Sequence, residues 1–254
     1  MGTIVSRVIK KSREIYEEKE SLLATREDIL SGNLVTGYSV NFPIFQTCQP
    51  TKVCIDTCYY AKGMTAFRSS LKKQIRLYRT TREHPEYVAF TLAKAYKELG
   101  MDFLRWNGGG DLFKESVEAL NLLIDKVPGI VVWRPSRRLD FAALIHYSPT
   151  VFVNISLDRS SMEKLDRYTE MTKASQNYFF SYQYDKDERT DPSEVDHRVS
   201  LIYLHGDREP TWLQGQREER ICPRTFTNDK ENTCSICRRC FNGENATWRL
   251  DHAT

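Results

Sequence analysis

The chain has 254 residues and 40% hydrophobic content, enough for one large domain with a real core. Its 37 basic and 34 acidic residues leave a net charge of +3, which permits an anionic partner without demanding one. No run approaches the roughly 18 apolar residues of a membrane span. The N-terminal MGTIVSRVIKKSREIYEEKE lacks the apolar stretch of a signal peptide, so a cytoplasmic chain is expected.

Residues 4–31 read as a charged amphipathic helix with Ile9, Ile15, Leu22, Leu23 and Ile29 on its apolar side, a helical extension occupying 1–32. From LVTGYSVNFPIF onward, alternating and β-branched residues predict a first strand at 34–45, directly before Cys48. MTAFRSSLKKQIRLYRTTRE and HPEYVAFTLAKAYKELG then have helical spacing, the second with Pro85 near its start and Gly100 at its end. Five further apolar runs follow: MDFLRWNGGGD, GIVVWRPS, TVFVNISLD, YFFSYQYD and VSLIYLHGD. DLFKESVEALNLLIDKV, RRLDFAALIHY and SSMEKLDRYTEMTKAS, all helical in spacing, separate most of them.

Alternating strands and helices predict an α/β fold with a parallel sheet. Six such units suggest a partial (β/α)6 TIM-like barrel over 33–206, although an open doubly wound sheet gives nearly the same pattern. DKDERTDPSEVDHR reads as a solvated loop. Residues 207–254 have few apolar runs and four cysteines, which predicts a cysteine-rich extension that needs a metal to fold.

In a reducing compartment seven cysteines point to metal ligation rather than disulfides. Cys48, Cys54 and Cys58 lie as C-x5-C-x3-C, and three close thiolates can hold three irons of a 4Fe-4S cluster while the last iron stays open. Structural zinc generally requires a fourth protein ligand, and no histidine lies nearer in sequence than His84. Cys222, Cys234, Cys237 and Cys240 form a full set of four thiols, suited to zinc or to a second 4Fe-4S cluster. The seven divide into three plus four with none left over.

A three-cysteine loop after the first strand, Tyr59 and Tyr60 behind it, GGGDLF after the second strand and the six-unit pattern together resemble the radical SAM superfamily. More closely, CIDTCYYAKG, RWNGGGDLF, FVNISLD and the terminal cysteines are similar to the phage proteins called the gene product 88 family, over roughly residues 36–242. The superfamily's common spacing is C-x3-C-x2-C with an aromatic residue before the last cysteine; here Thr57 stands there.

The resemblance implies an enzyme that cleaves S-adenosylmethionine reductively to a 5′-deoxyadenosyl radical, fed by an electron donor such as flavodoxin or ferredoxin. It further implies that Tyr59 or Tyr60 contacts the adenine, that Gly108, Gly109 and Gly110 receive the methionyl amino group, and that Asp111 is the accompanying acid. By the same resemblance Arg134 pairs with the cofactor carboxylate, Ser156 and Asp158 bind the ribose, and His205 lies near the adenine or substrate. Two rival functions are an electron-transfer protein and a non-catalytic metal module that contacts a protein or nucleic acid through KKSR, RSSLKKQIR and RPSRR.

Overall fold

A computed structural model describes residues 4–18, 22–33, 37–172, 177–184, 194–196 and 199–202. His205 and the four C-terminal cysteines lie outside the described residues, as does the side chain of Tyr59.

The N-terminal segment is not one helix. α1 (Ile4–Glu17) buries Val8, Ser12 and Ile15, a single stripe that packs on Leu71 and Ile75. A new four-residue helix, α2 (Arg26–Ile29), starts at Thr25 because Thr25 and Asp28 form a reciprocal capping box, each side chain accepting from the other's backbone N–H. Two short strands follow where a single one at 34–45 was expected: β1 (Ser31–Asn33) and β2 (Gly37–Asn41). They pair antiparallel.

The chain then makes two small helices, α3 (Ile44–Thr47) and α4 (Lys52–Thr57), and a 3₁₀ turn at Tyr59–Ala61. Two longer helices come next, α5 (Arg68–Glu83) and α6 (Pro85–Glu98), the latter opened by proline at its first position, where its missing N–H costs nothing. Beyond them the order is β3 (Leu104–Gly109), α7 (Lys114–Lys126), β4 (Val132–Ser136), α8 (Leu139–Ala142) and β5 (Val151–Leu157). The series ends with α9 (Leu165–Thr172), β6 (Tyr178–Gln183) and β7 (Val199–Ile202).

The seven strands form one sheet in sequence order, parallel from β2 to β7. A monotonic order has no reversal point, so this is a singly wound sheet and not a doubly wound one. Right-handed crossovers then put the connecting helices on one face. Among the described residues β1 and β7 are unpaired edges and no barrel closure is seen, so of the expected partial barrel the α/β parallel sheet is what stands.

The helix-facing side carries Val40, Trp106, Val132, Val153, Ile155 and Phe180 in the main core. The opposite side is graded. Toward the amino ends of the strands, Phe103, Trp133, Phe152 and Phe179 make an aromatic layer, with the Arg105 guanidinium 4.7 Å above the Trp133 ring. Toward the carboxyl ends it turns polar, with Ser39, Asn154, Ser181 and Gln183 all buried. Polar groups kept out of water at one end of a sheet mark where chemistry or recognition takes place.

Candidate functional site

The cysteine segment follows β2 directly and lies over the carboxyl ends of the parallel strands, held there by two threonines. Thr47 ends α3; its hydroxyl donates to the Pro43 carbonyl (2.9 Å) and accepts the Asp111 backbone N–H (2.9 Å) just past β3. Thr51 caps α4 by accepting the Cys54 N–H (3.3 Å) and donates to the Asp158 carboxylate just past β5. Cys48 immediately follows the first anchor. Cys54 and Cys58 are four apart along α4 and its C-cap, which puts them on one side of that helix.

Asp158 is fully buried and accepts from several donors at once: Thr51, the Ser160 N–H (3.0 Å) and hydroxyl (2.6 Å), the Ser161 hydroxyl (3.2 Å) and Arg137 (2.8 Å). Burial alone would raise its carboxyl, but the Ser160 and Thr51 hydrogen bonds and the Arg137 charge outweigh that and hold it below the ordinary range. Arg137 spends its second terminal nitrogen on the Gln183 side chain at 2.8 Å. One arginine therefore braces the ends of β4, β5 and β6.

Asp111 is the matching brace between β3 and β4. Its carboxylate accepts from the Leu112 N–H (2.8 Å), the Ser136 hydroxyl (2.5 Å) and the Arg137 N–H (3.1 Å). Here burial wins, and the group is raised from its ordinary value despite those bonds.

Each of the three cysteines is partly exposed. Burial pushes the Cys48 thiol well up, and Asp111, Cys54 and Cys58 push it further in the same direction. Cys54 is likewise raised by burial, with Arg137 pulling it back down. The three thiols thus share one electrostatic neighbourhood. They are not drawn together: among the described residues no group of three or more His, Cys, Asp or Glu side chains stands at metal-holding spacing.

The glycine trio serves packing in this structure. A Cβ on Gly109 would fall inside the Tyr60 ring, and one on Gly108 would collide with the Asn41 side chain. Gly110, at φ +77°, leaves no room beside the Phe42 carbonyl and the Thr47 hydroxyl, each 2.7 Å from such a Cβ. The close backbone approach that glycines allow is used by Tyr60, which seats the turn after Cys58 on the end of β3.

Arg134 lies elsewhere than its position near a strand end suggests. It is paired in register with Val153 and shares that residue's helix-facing side, fully buried with no hydrogen-bond partner for its guanidinium nitrogens. Burial lowers it to about 10, partly offset by Asp111. The cation beside the cysteine loop is Arg137. Ser156 is half-buried and meets the Ser181 hydroxyl at 3.5 Å.

Thr47, Thr51, Arg137 and Gln183 are the residues sequence reasoning missed. Only Thr51 carried a local signal, a threonine three residues before Cys54 at a helix start.

Asn107 stands out on β3. It is the non-glycine residue with positive φ (60°) among the described residues, sits inside the irregular pairing of β2 with β3 between Trp106 and Gly109, is 2% exposed, and neither polar atom of its amide has a partner. Strain and orphaned polar groups together mean that the position is held by something other than stability. Asn107→Gly removes both costs at once. We expect it to raise the unfolding free energy by about 1 kcal/mol, measured by urea denaturation.

The basic run on α5 is used internally. Arg68 and Lys72 pair with Glu18, Arg76 with Asp28 at 2.8 Å, Arg82 with Glu115 at 3.2 Å, and Arg79 donates to the Tyr16 carbonyl. All but the pair of Arg82 with Glu115, which joins α5 to α7, fasten the α1 and α2 segments to the domain. No helix among the described residues is long and apolar enough to cross a membrane.

A singly wound, mostly parallel α/β sheet with a three-thiol loop anchored over its carboxyl edge is the class that fold and site define. The chain belongs to the Gene product 88 family, whose model matches residues 7–243. No curated protein and no solved structure matches it.

Proposed function

We propose that Cys48, Cys54 and Cys58 hold a 4Fe-4S cluster with one open iron, and that the protein is a radical S-adenosylmethionine-type enzyme. The observation that carries this reading is the anchoring of a three-thiol loop, through Thr47 and Thr51, over the carboxyl ends of a sequentially ordered parallel sheet. Chemistry in parallel α/β folds is built at that edge. The donor set fits in kind, since three thiols without histidine suit iron-sulfur ligation better than closed zinc.

When bound, such a cluster supplies one electron to the sulfonium of S-adenosylmethionine, whose carbon-sulfur cleavage yields a 5′-deoxyadenosyl radical. The chain's own residues have the supporting work. Cys48 and Cys54, both raised, would have to lose their protons to solvent base in order to ligate a metal, so loading would consume base. The Arg137 charge favours the Cys54 thiolate. Asp158 and Asp111 keep the loop seated while that happens. Ser156, at the end of β5, stands on the edge where a ribose would be received, whereas the Asp158 carboxylate is already spent on Thr51, Ser160, Ser161 and Arg137.

Anaerobic reconstitution followed by electron paramagnetic resonance tests this. The reduced protein is expected to show a cluster signal that shifts on adding S-adenosylmethionine and is lost in Cys54→Ala, with 5′-deoxyadenosine formed by the wild type only. A protein that takes up zinc and no iron, or an intact cluster that never yields 5′-deoxyadenosine, would overturn the reading.

A further inference from the structure

A cleft of about 340 Å³ opens beside the cysteine loop, with Thr51 and Ser156 among the residues that line it. Its cations are Arg137, Arg138, Lys164 and Arg167, and its carboxylate is Asp140. Arg138 is committed to Asp140 through two bonds of 3.0 and 2.8 Å, and Arg137 to Asp158 and Gln183. That leaves Lys164 and Arg167, which are exposed and whose side chains make no ion pair or hydrogen bond among the described residues. They stand three apart where the 3₁₀ turn Met162–Lys164 runs into α9, so both reach the same side.

We propose that this cleft binds a small phosphate-bearing molecule. Two uncommitted cations call for a ligand carrying about −1.5 to −2 of charge, which is what a phosphate monoester carries near neutral pH. Arg137 and Arg138, each already paired with a carboxylate, only shape the wall behind them, while the uncommitted Arg167 fork matches phosphate oxygens geometrically. A volume of about 340 Å³ suits a small molecule and is too small to enclose a polymer strand. Because the cleft shares Thr51 with the cysteine loop, a ligand held there would lie next to the proposed cluster. If both readings hold, it is the substrate.

Binding does not depend on a cluster, so the test separates the two. Calorimetric titration of the full chain with inorganic pyrophosphate is expected to show saturable one-to-one binding. Lys164→Gln and Arg167→Gln should each weaken it about tenfold and the double variant abolish it. Lys126→Gln, which removes an exposed charge at the end of α7, should bind as wild type does. Absence of saturable binding by the wild type would overturn the proposal. So would cleft variants that bind unchanged, or a Lys126→Gln loss as large as theirs.

Discussion

Asp158→Ala is expected to lower the unfolding free energy by about 3 kcal/mol, because removing one partner of a buried ion pair strands the other and empties several hydrogen bonds together. The Asp158 side chain has no exposure and Arg137 only 12%, so neither charge has bulk water to fall back on. The loss should be larger than that from Arg26→Ala, whose pair with Glu98 is 37% and 44% exposed at its two side chains. Guanidinium denaturation of both variants at pH 7 checks the difference.

The effect also has a pH signature. The folded Asp158 carboxyl lies below its ordinary value, while unfolding returns it to about 3.9. Its stabilisation is therefore fully present above the unfolded value and is lost as pH falls through the folded one. The gap between wild type and Asp158→Ala should shrink on acidification below about pH 4, because protonation then does to the wild type what the substitution does. A gap that stays constant to pH 2 would show that the hydrogen-bond geometry matters and the charge does not. Beyond stability, the variant frees Thr51 and with it the cap of α4. We expect loading of the proposed cluster to fall although every cysteine remains.

Gly109→Ala should cost about 2–3 kcal/mol for a single methyl group. The added carbon occupies space filled by Tyr60, a buried aromatic ring that cannot step aside as the end of a flexible side chain could. Pairing it with Tyr60→Ala decides the mechanism. Tyr60→Ala alone should cost about 3 kcal/mol through the cavity it leaves, but within that background the extra methyl should be nearly neutral. Additive losses would place the strain in the backbone. Since Tyr60 belongs to the turn just after Cys58, displacing it should also disturb loading of the three-thiol loop.

The helices α5, α6 and α7 and the strands β3 to β6 were legible because each states its type over its own length, through 3.6-residue stripes or short β-branched and aromatic runs. The N-terminal segment misled for a local reason. α1 already ends at Glu17, and the capping box of Thr25 and Asp28 starts a separate short helix just before β1, which outweighs a continuing charge pattern. Arg134 misled for a different one. It was expected to end its strand, but β4 runs on to Ser136, and pairing with Val153 turned Arg134 toward the helices. In the glycine trio the need for close approach was readable, but the occupant was not, since nothing in GGGDLF names Tyr60.

Residue type and spacing alone thus decide that this chain is an α/β protein carrying two sets of thiols suited to soft metals, because ligand chemistry and strand and helix periodicity are local properties. That the described strands run in sequence order in one singly wound sheet, and that the cysteine loop rides on its carboxyl edge, was settled only by folding. So was the choice of Arg137 over Arg134 as the cation beside the thiols. Thr51 meets Asp158 across 107 residues of sequence. Such a contact has no signature in either segment and exists only once the strands between them have paired.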